Sequence, residues 1–144
     1  MNRRTYDLNI IHKNEDVLQA YCWQWLYDTH PETRKCCWHV PNGGARTKVQ
    51  AAQFTGMGVV AGCSDMHFIW RSRLYIIELK VLANHITEAQ ERFIRATVDQ
   101  GAIFYECRTF KKWVEIMERI LEGNPLPCEA HLLTEYSPGK WKVA

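Results

Sequence analysis

The amino-acid sequence predicts an α/β fold: a mixed central β-sheet flanked by helices, with the element order αβαββαβα. Three observations carry this. Residues 14 to 29 bear an apolar stripe at helical spacing. Residues 66 to 81 alternate with a period of two around a turn. From Thr87 onward a helix signal, an apolar strand and a second helix signal follow one another, the pattern of strands joined through helices. At 144 residues the chain has the length of one domain, taken as 1–144 with its core over about 14–121.

The first helix begins at Asn14, an N-cap residue, with Glu15 and Asp16 opposing the dipole in the first turn. Val17, Leu18, Tyr21, Cys22, Trp25 and Leu26 form its apolar stripe, and His30-Pro31 ends it. "KCCWHV" reads as a strand that stops at the turn cluster "PNGG", and "ARTKVQAAQF" as a second helix. Thr87 and Gln90 make a capping-box pattern at the head of a third helix, which Gly101 closes. "AIFYEC" is the last strand, and Thr109 to Glu122 the last helix, ended by Gly123 and Pro125. Residues 124–144 lack periodicity and read as a loop or C-terminal tail. The Trp and Tyr residues read mostly as core by their spacing, and none as a base-stacking platform.

Composition narrows the function classes. Hydrophobic residues make up 47% and charged residues 24%, as in a globular protein that works in water. No apolar run approaches the roughly 20 residues of a membrane helix, so no membrane partner is expected. "MNRRTYDLNI" lacks the apolar stretch of an export signal. The six cysteines contain no C-x-x-C pair and are expected to be reduced thiols, mostly buried; a zinc site from Cys36, Cys37 and His39 fits no common spacing. A net charge of +2 is too small for binding nucleic acid by bulk charge, but Arg71/Arg73, Arg92/Arg95 and Lys111/Lys112 are local clusters that leave such binding open.

The chemistry concentrates in "GCSDMHFIWRSRLYIIELK", Gly62 to Lys80. A hairpin turning between Arg71 and Ser72 sets Asp65 directly across from Glu78. Met66, Phe68, Trp70, Tyr75, Ile77 and Leu79 then form one apolar face, and Asp65, Glu78 and Lys80 share the other. Opposed Cβ atoms lie about 5 Å apart, and Lys80 stands roughly 7 Å along from Glu78. Arg-Ser lacks the chemistry of a two-residue turn, so a longer bulged loop is the alternative. Two adjacent carboxylates repel unless they share a cation; Lys80 supplies one positive charge, and Mg²⁺ or Mn²⁺ would supply more. The competing reading is an ordinary cross-strand ion pair, which apolar surroundings make costly.

Asp65 followed by Glu78-x-Lys80 resembles the D…(D/E)xK pattern of restriction-endonuclease-like nucleases. A wider series is similar to the virus-type replication-repair nuclease (VRR-NUC) domain of that superfamily, in its standalone phage or bacterial form. It comprises Glu15 and Gln19, "HVPNGG", Arg46, "GVVAGCSD", "ELK", Gln90 and Gly101. Ser64 stands where the family usually has proline.

The resemblance implies a restriction-endonuclease-like core and a Mg²⁺- or Mn²⁺-dependent DNA endonuclease. In it Asp65, Glu78 and the Leu79 carbonyl hold the metal, Glu15 is a further ligand, and Lys80 orients the attacking water and stabilises developing charge. Glu15 also reads as an ordinary first-turn carboxylate, and Gln90 as a capping residue. Gln90, Asn42, Arg46, His39 and Gln19 are the candidate substrate contacts. By analogy the substrate is branched DNA such as a Holliday junction or a flap, the protein a homodimer, and the location the cytoplasm of a bacterial or phage-infected cell. The alternatives are a sequence-specific restriction-type enzyme and a non-catalytic DNA-binding module of the same fold.

Overall fold

The protein was analysed as a computed structural model, which describes residues 4–41 and 47–136. In chain order the elements are α1 (Glu15–Thr29), β1 (Cys37–His39), α2 (Lys48–Gly56), β2 (Met66–Trp70), β3 (Arg73–Leu79), α3 (Glu88–Asp99), β4 (Ile103–Cys107), α4 (Phe110–Leu121) and α5 (His131–Tyr136). A short 3₁₀ turn, Pro31–Thr33, joins α1 to β1. The first eight elements reproduce the expected order. The sheet order is β1-β2-β3-β4, with antiparallel pairing up to β3 and β4 parallel to β3. The fold is therefore mixed α/β around one four-stranded sheet.

The helices α1 to α4 each start where a side chain satisfies free N–H groups of the first turn. Asn14 accepts from Val17 N in α1, and Thr109 from Lys112 N in α4. Thr47/Gln50 and Thr87/Gln90 form complete capping boxes, which starts α2 at Lys48, later than the composition of "ARTKVQAAQF" suggests.

The sheet separates two cores. Leu18, Cys22, Trp25 and Leu26 of α1 and Trp113, Ile116, Met117 and Ile120 of α4 pack on the face formed by Met66, Phe68, Tyr75, Ile77 and Tyr105. On the opposite face Ile94 of α3 and Leu133 of α5 meet Ile76 and Phe104. Val17, expected in the apolar stripe of α1, is 54% exposed. Cys22, Cys37 and Cys107 are buried, while Cys36, Cys63 and Cys128 are only half-buried; all six are free thiols. The whole segment 47–61, α2 included, is exposed.

The β2–β3 hairpin has the expected register, Met66 opposite Ile77 through Trp70 opposite Arg73. It turns in two residues without a bulge. Arg71 (φ 48°) and Ser72 (φ 65°) both take the left-handed conformation, the backbone of a tight hairpin turn. This corrects the longer loop that Arg-Ser chemistry suggested: the two well-packed strands impose the turn on residues that disfavour it.

The second correction concerns the tail. Residues 124–136 pack along β4, the edge strand. Glu129 N–H donates to the Phe104 carbonyl (2.8 Å), and Glu129 Oε1 accepts from Glu106 N–H (3.0 Å). Lys112 Nζ lies 2.8 Å from Glu129 Oε2, and the Tyr105 hydroxyl donates to the Leu126 carbonyl. The segment thus covers hydrogen-bonding groups that an open sheet edge would expose. Such pairing is made through backbone and one carboxylate, so it leaves no periodic trace in sequence.

Candidate active site

Asp65 immediately precedes β2, and one step beyond the Met66–Ile77 pair sets it across from Glu78. Its Oδ2 accepts the Leu79 N–H at 2.8 Å. Glu78 is buried to 1% exposure in the middle of the sheet, where β3 pairs with β4. Its Oε1 accepts from Gln90 Nε2 (2.8 Å) and lies 3.7 Å from Lys80 Nζ, itself buried. The Oε2 atom is also buried and meets no donor at ordinary hydrogen-bond geometry, though Asp65 is close enough to interact with the carboxyl through side chain and backbone. Burial pushes the Glu78 carboxyl far above the usual carboxylate range; the adjacent Asp65 carboxylate raises it further, against the opposing pull of Lys80. Asp65, Glu78 and Lys80 therefore converge as the alternation predicts, with Gln90 as a fourth member.

Gln90 is held by its own helix. The Oε1 atom of its amide accepts the Thr87 N–H (2.8 Å) in the capping box, which leaves Nε2 directed at Glu78. The structural and site roles of Gln90 are two ends of one amide.

Gly62 explains the glycine of "GVVAGCSD". It has φ +79°, and a Cβ there would lie 2.2 Å from the Ala89 carbonyl oxygen and 2.7 Å from Gln90 N. The loop carrying Asp65 thus presses its backbone onto the first turn of α3 at the residue that holds Glu78. His39 reaches the same loop: its Nδ1–H donates to the Asp65 carbonyl at 2.8 Å, which fixes the tautomer and leaves the exposed ring's Nε2 as an acceptor. Ser64, at the position of the family's proline, is fully buried.

Glu15 is placed differently. Its Oε1 accepts from Asn84 Nδ2 (3.3 Å), on the loop that follows Lys80. Among the described residues no three His, Cys, Asp or Glu side chains are grouped to hold a metal ion, so Glu15 is not gathered with Asp65 and Glu78, nor are Cys36, Cys37 and His39 gathered as a zinc site. Gln19 is half-buried one turn along from Glu15; the side-chain partners of Asp65 and Glu78 are Leu79, Gln90 and Lys80. Asn42 and Arg46 lie outside the described residues.

Sequence reasoning missed the neighbour on β4. Glu106 pairs with Glu78 across the parallel strands and carries its own cation, Arg108, at 3.0 Å. Arg108 also donates to the carbonyls of Leu82 (3.1 Å) and Asn84 (2.7 Å), bracing the loop after Lys80. The period-two alternation of "AIFYEC" signals this, because Glu106 shares the parity of Phe104. A cavity of about 310 Å³ lies between α3, β4 and α5, with Glu91, Phe104, Glu106 and Leu133 in its wall; Asp65, Glu78 and Lys80 do not line it.

Asp65 and Glu78 offer carboxylate oxygens, the ligand type that hard divalent cations take. Two apposed carboxyl groups are chemically hard oxygen ligands; with Lys80 3.7 Å from Glu78 as the cation, the Glu78 carboxyl holds its proton well above the usual carboxylate range. No protein-family model matches the chain, and neither the curated proteins nor the solved structures contain a match.

Proposed function

We propose that the chain is a Mg²⁺- or Mn²⁺-dependent DNA endonuclease with a restriction-endonuclease-like core of the VRR-NUC type. The observation that carries this reading is Glu78: a carboxylate buried to 1% exposure, one oxygen without a donor, facing Asp65 across a hairpin. Without a metal a carboxyl this buried beside another acid keeps its proton; a bound divalent cation is what would give its ionised form a return.

Asp65 and Glu78, with the Leu79 carbonyl, would hold the ion, and Glu15 would join only by giving up Asn84. A bound divalent ion supplies Lewis-acid polarisation of the scissile phosphate and a lowered pKa for the attacking water. The Leu79 N–H keeps the Asp65 carboxylate aimed across the hairpin, and Gln90 keeps the Glu78 carboxylate from rotating. Lys80, on the strand that carries Glu78, orients the attacking water and offsets negative charge developing on the phosphate. His39, exposed beside Asp65, and the segment holding Asn42 and Arg46 are the candidate contacts to the DNA backbone. Branched DNA as substrate and a homodimer that presents two sites to it complete the reading.

Cleavage of junction, flap, single-stranded and linear duplex DNA by wild type and Asp65→Ala, with Mn²⁺ and with EDTA, tests it. Branched substrates should be cut by wild type with Mn²⁺ alone. A pure, folded protein that cuts none of the four would refute the reading, and cutting of linear duplex at one sequence would transfer it to the restriction type.

A further inference from the structure

The sequence reading assigned Trp and Tyr to the core, and Trp25, Trp113, Tyr75 and Tyr105 are buried there. Two others on α1 are not. Trp23 and Tyr27, one turn apart, are 38% and 42% exposed, with rings stacked at 5.2 Å and an interplanar angle of 25°. After the 3₁₀ turn the chain brings Arg34 back over them: its guanidinium lies 3.8 Å from the Tyr27 ring centroid. Arg34 Nε and Nη2 donate to the Tyr27 carbonyl at 3.1 and 2.8 Å. Lys35 follows in a left-handed turn (φ 69°). These residues, with Leu26, Thr33 and Cys37 at the floor, bound a cavity of about 300 Å³.

Charge and shape specify the occupant. Arg34 and Lys35 line the cavity and are exposed, while the nearby acids do not line it: Asp28 accepts from the Tyr6 hydroxyl (2.5 Å) and Glu32 lies 3.1 Å from His30. A π-surface with adjacent cations matches a flat base followed by a phosphate. The cavity stands at the small end of ligand sites, too small for a duplex. α1 packs on the sheet face opposite Ile76 and α3, so the cradle is separate from the carboxylate pair.

We propose that the Trp23–Tyr27–Arg34 cradle binds single-stranded nucleic acid, one unpaired base stacking on the aromatic ladder with its phosphate against Arg34 and Lys35. This deepens the nuclease reading and rests on it for its setting: an enzyme that cuts branched DNA gains a grip on an unpaired arm away from the scissile bond.

The test is fluorescence anisotropy of a labelled short oligothymidylate with the full chain in EDTA, where cutting is blocked. Oligouridylate, thymidine monophosphate and blunt duplex serve as competitors. Trp23→Ala should weaken binding roughly 5- to 140-fold, the equivalent of about 1–3 kcal/mol for one stacked base. Trp23→Phe should retain most of the affinity, Arg34→Gln should weaken it and flatten its salt dependence, and Val17→Ala, exposed on the same helix, should leave it unchanged. Competition by the oligonucleotides but not by the monophosphate would assign the cradle to a strand; equal competition by the monophosphate, or by duplex, would overturn the proposal. So would wild-type affinity in both Trp23→Ala and Arg34→Gln, no binding by wild type, or a proline-rich peptide that perturbs Trp23 where the oligonucleotide does not. Binding without cleavage in Mn²⁺ would refute the nuclease and leave the cradle standing.

Discussion

Gln90 Nε2 lies 2.8 Å from Glu78 Oε1 while the same amide accepts the Thr87 N–H, so the cap of α3 and the most buried acid of the sheet share one side chain. Gln90→Ala should therefore lower stability by about 1–3 kcal/mol, the range for leaving a buried polar group without its partner. It should also weaken Mn²⁺ binding. Denaturant titration with and without Mn²⁺ measures both, and a loss of stability with unchanged Mn²⁺ binding would reduce Gln90 to a cap.

Glu78→Gln should separate function from stability. The amide has no proton to lose, so the metal-free variant should keep its stability as pH rises towards 9 while wild type loses that of the protonated carboxyl. Cleavage and the rise in melting temperature with Mn²⁺ should both vanish. A variant markedly less stable than wild type would mean that the carboxylate is structural.

The pH dependence follows from the same residue. Burial first, and then Asp65, pushes the Glu78 carboxyl up to about 9 from an ordinary 4.5. Between those limits the native state holds a proton that the unfolded state has released, so the contribution of Glu78 to metal-free stability is full below 4.5 and is lost as pH rises towards 9. Mn²⁺ competes with that proton. Its stabilisation should therefore grow with pH over the same window, which thermal melts at several pH values with and without Mn²⁺ would detect.

Two glycines with positive φ make a controlled pair. Gly58 (φ +95°) has nothing within 4 Å of an added Cβ, whereas at Gly62 the Ala89 backbone is in the way. Gly58→Ala should cost only the conformational penalty, about 1–2 kcal/mol at most. Gly62→Ala should cost more and also shift the Gln90 side-chain amide signals in a nitrogen–proton correlation spectrum, since the loop and α3 must part. Equal effects of the two substitutions would show that the close approach does not matter.

Removing the chain from Asn124 onward should destabilise the fold. Leu133 fills the second core and Glu129 covers the β4 edge. Loss of the leucine side chain alone is worth about 2–5 kcal/mol. A truncated protein with unchanged denaturation midpoint would return this segment to the status of a loose tail.

Much of this molecule was legible without coordinates wherever the signal is local. Asn14 and Thr87 cap the helices they were expected to cap, and the alternation of Met66 to Leu79 sets the hairpin register and with it the meeting of Asp65, Glu78 and Lys80. These follow from spacing, because a helix or a hairpin brings together residues a fixed number of positions apart.

What only the tertiary structure decided comes from parts of the chain that meet across long separations. No spacing joins Glu15 to Asn84, Glu78 to Glu106, Gly62 to Ala89 or Glu129 to the β4 edge; packing does. Packing likewise left Trp23 and Tyr27 outside while it buried Trp25, since the periodicity of α1 makes a stripe without stating how much of it the sheet will cover. Local spacing brought the acids together; the third dimension decided how deeply they are buried and what stands beside them.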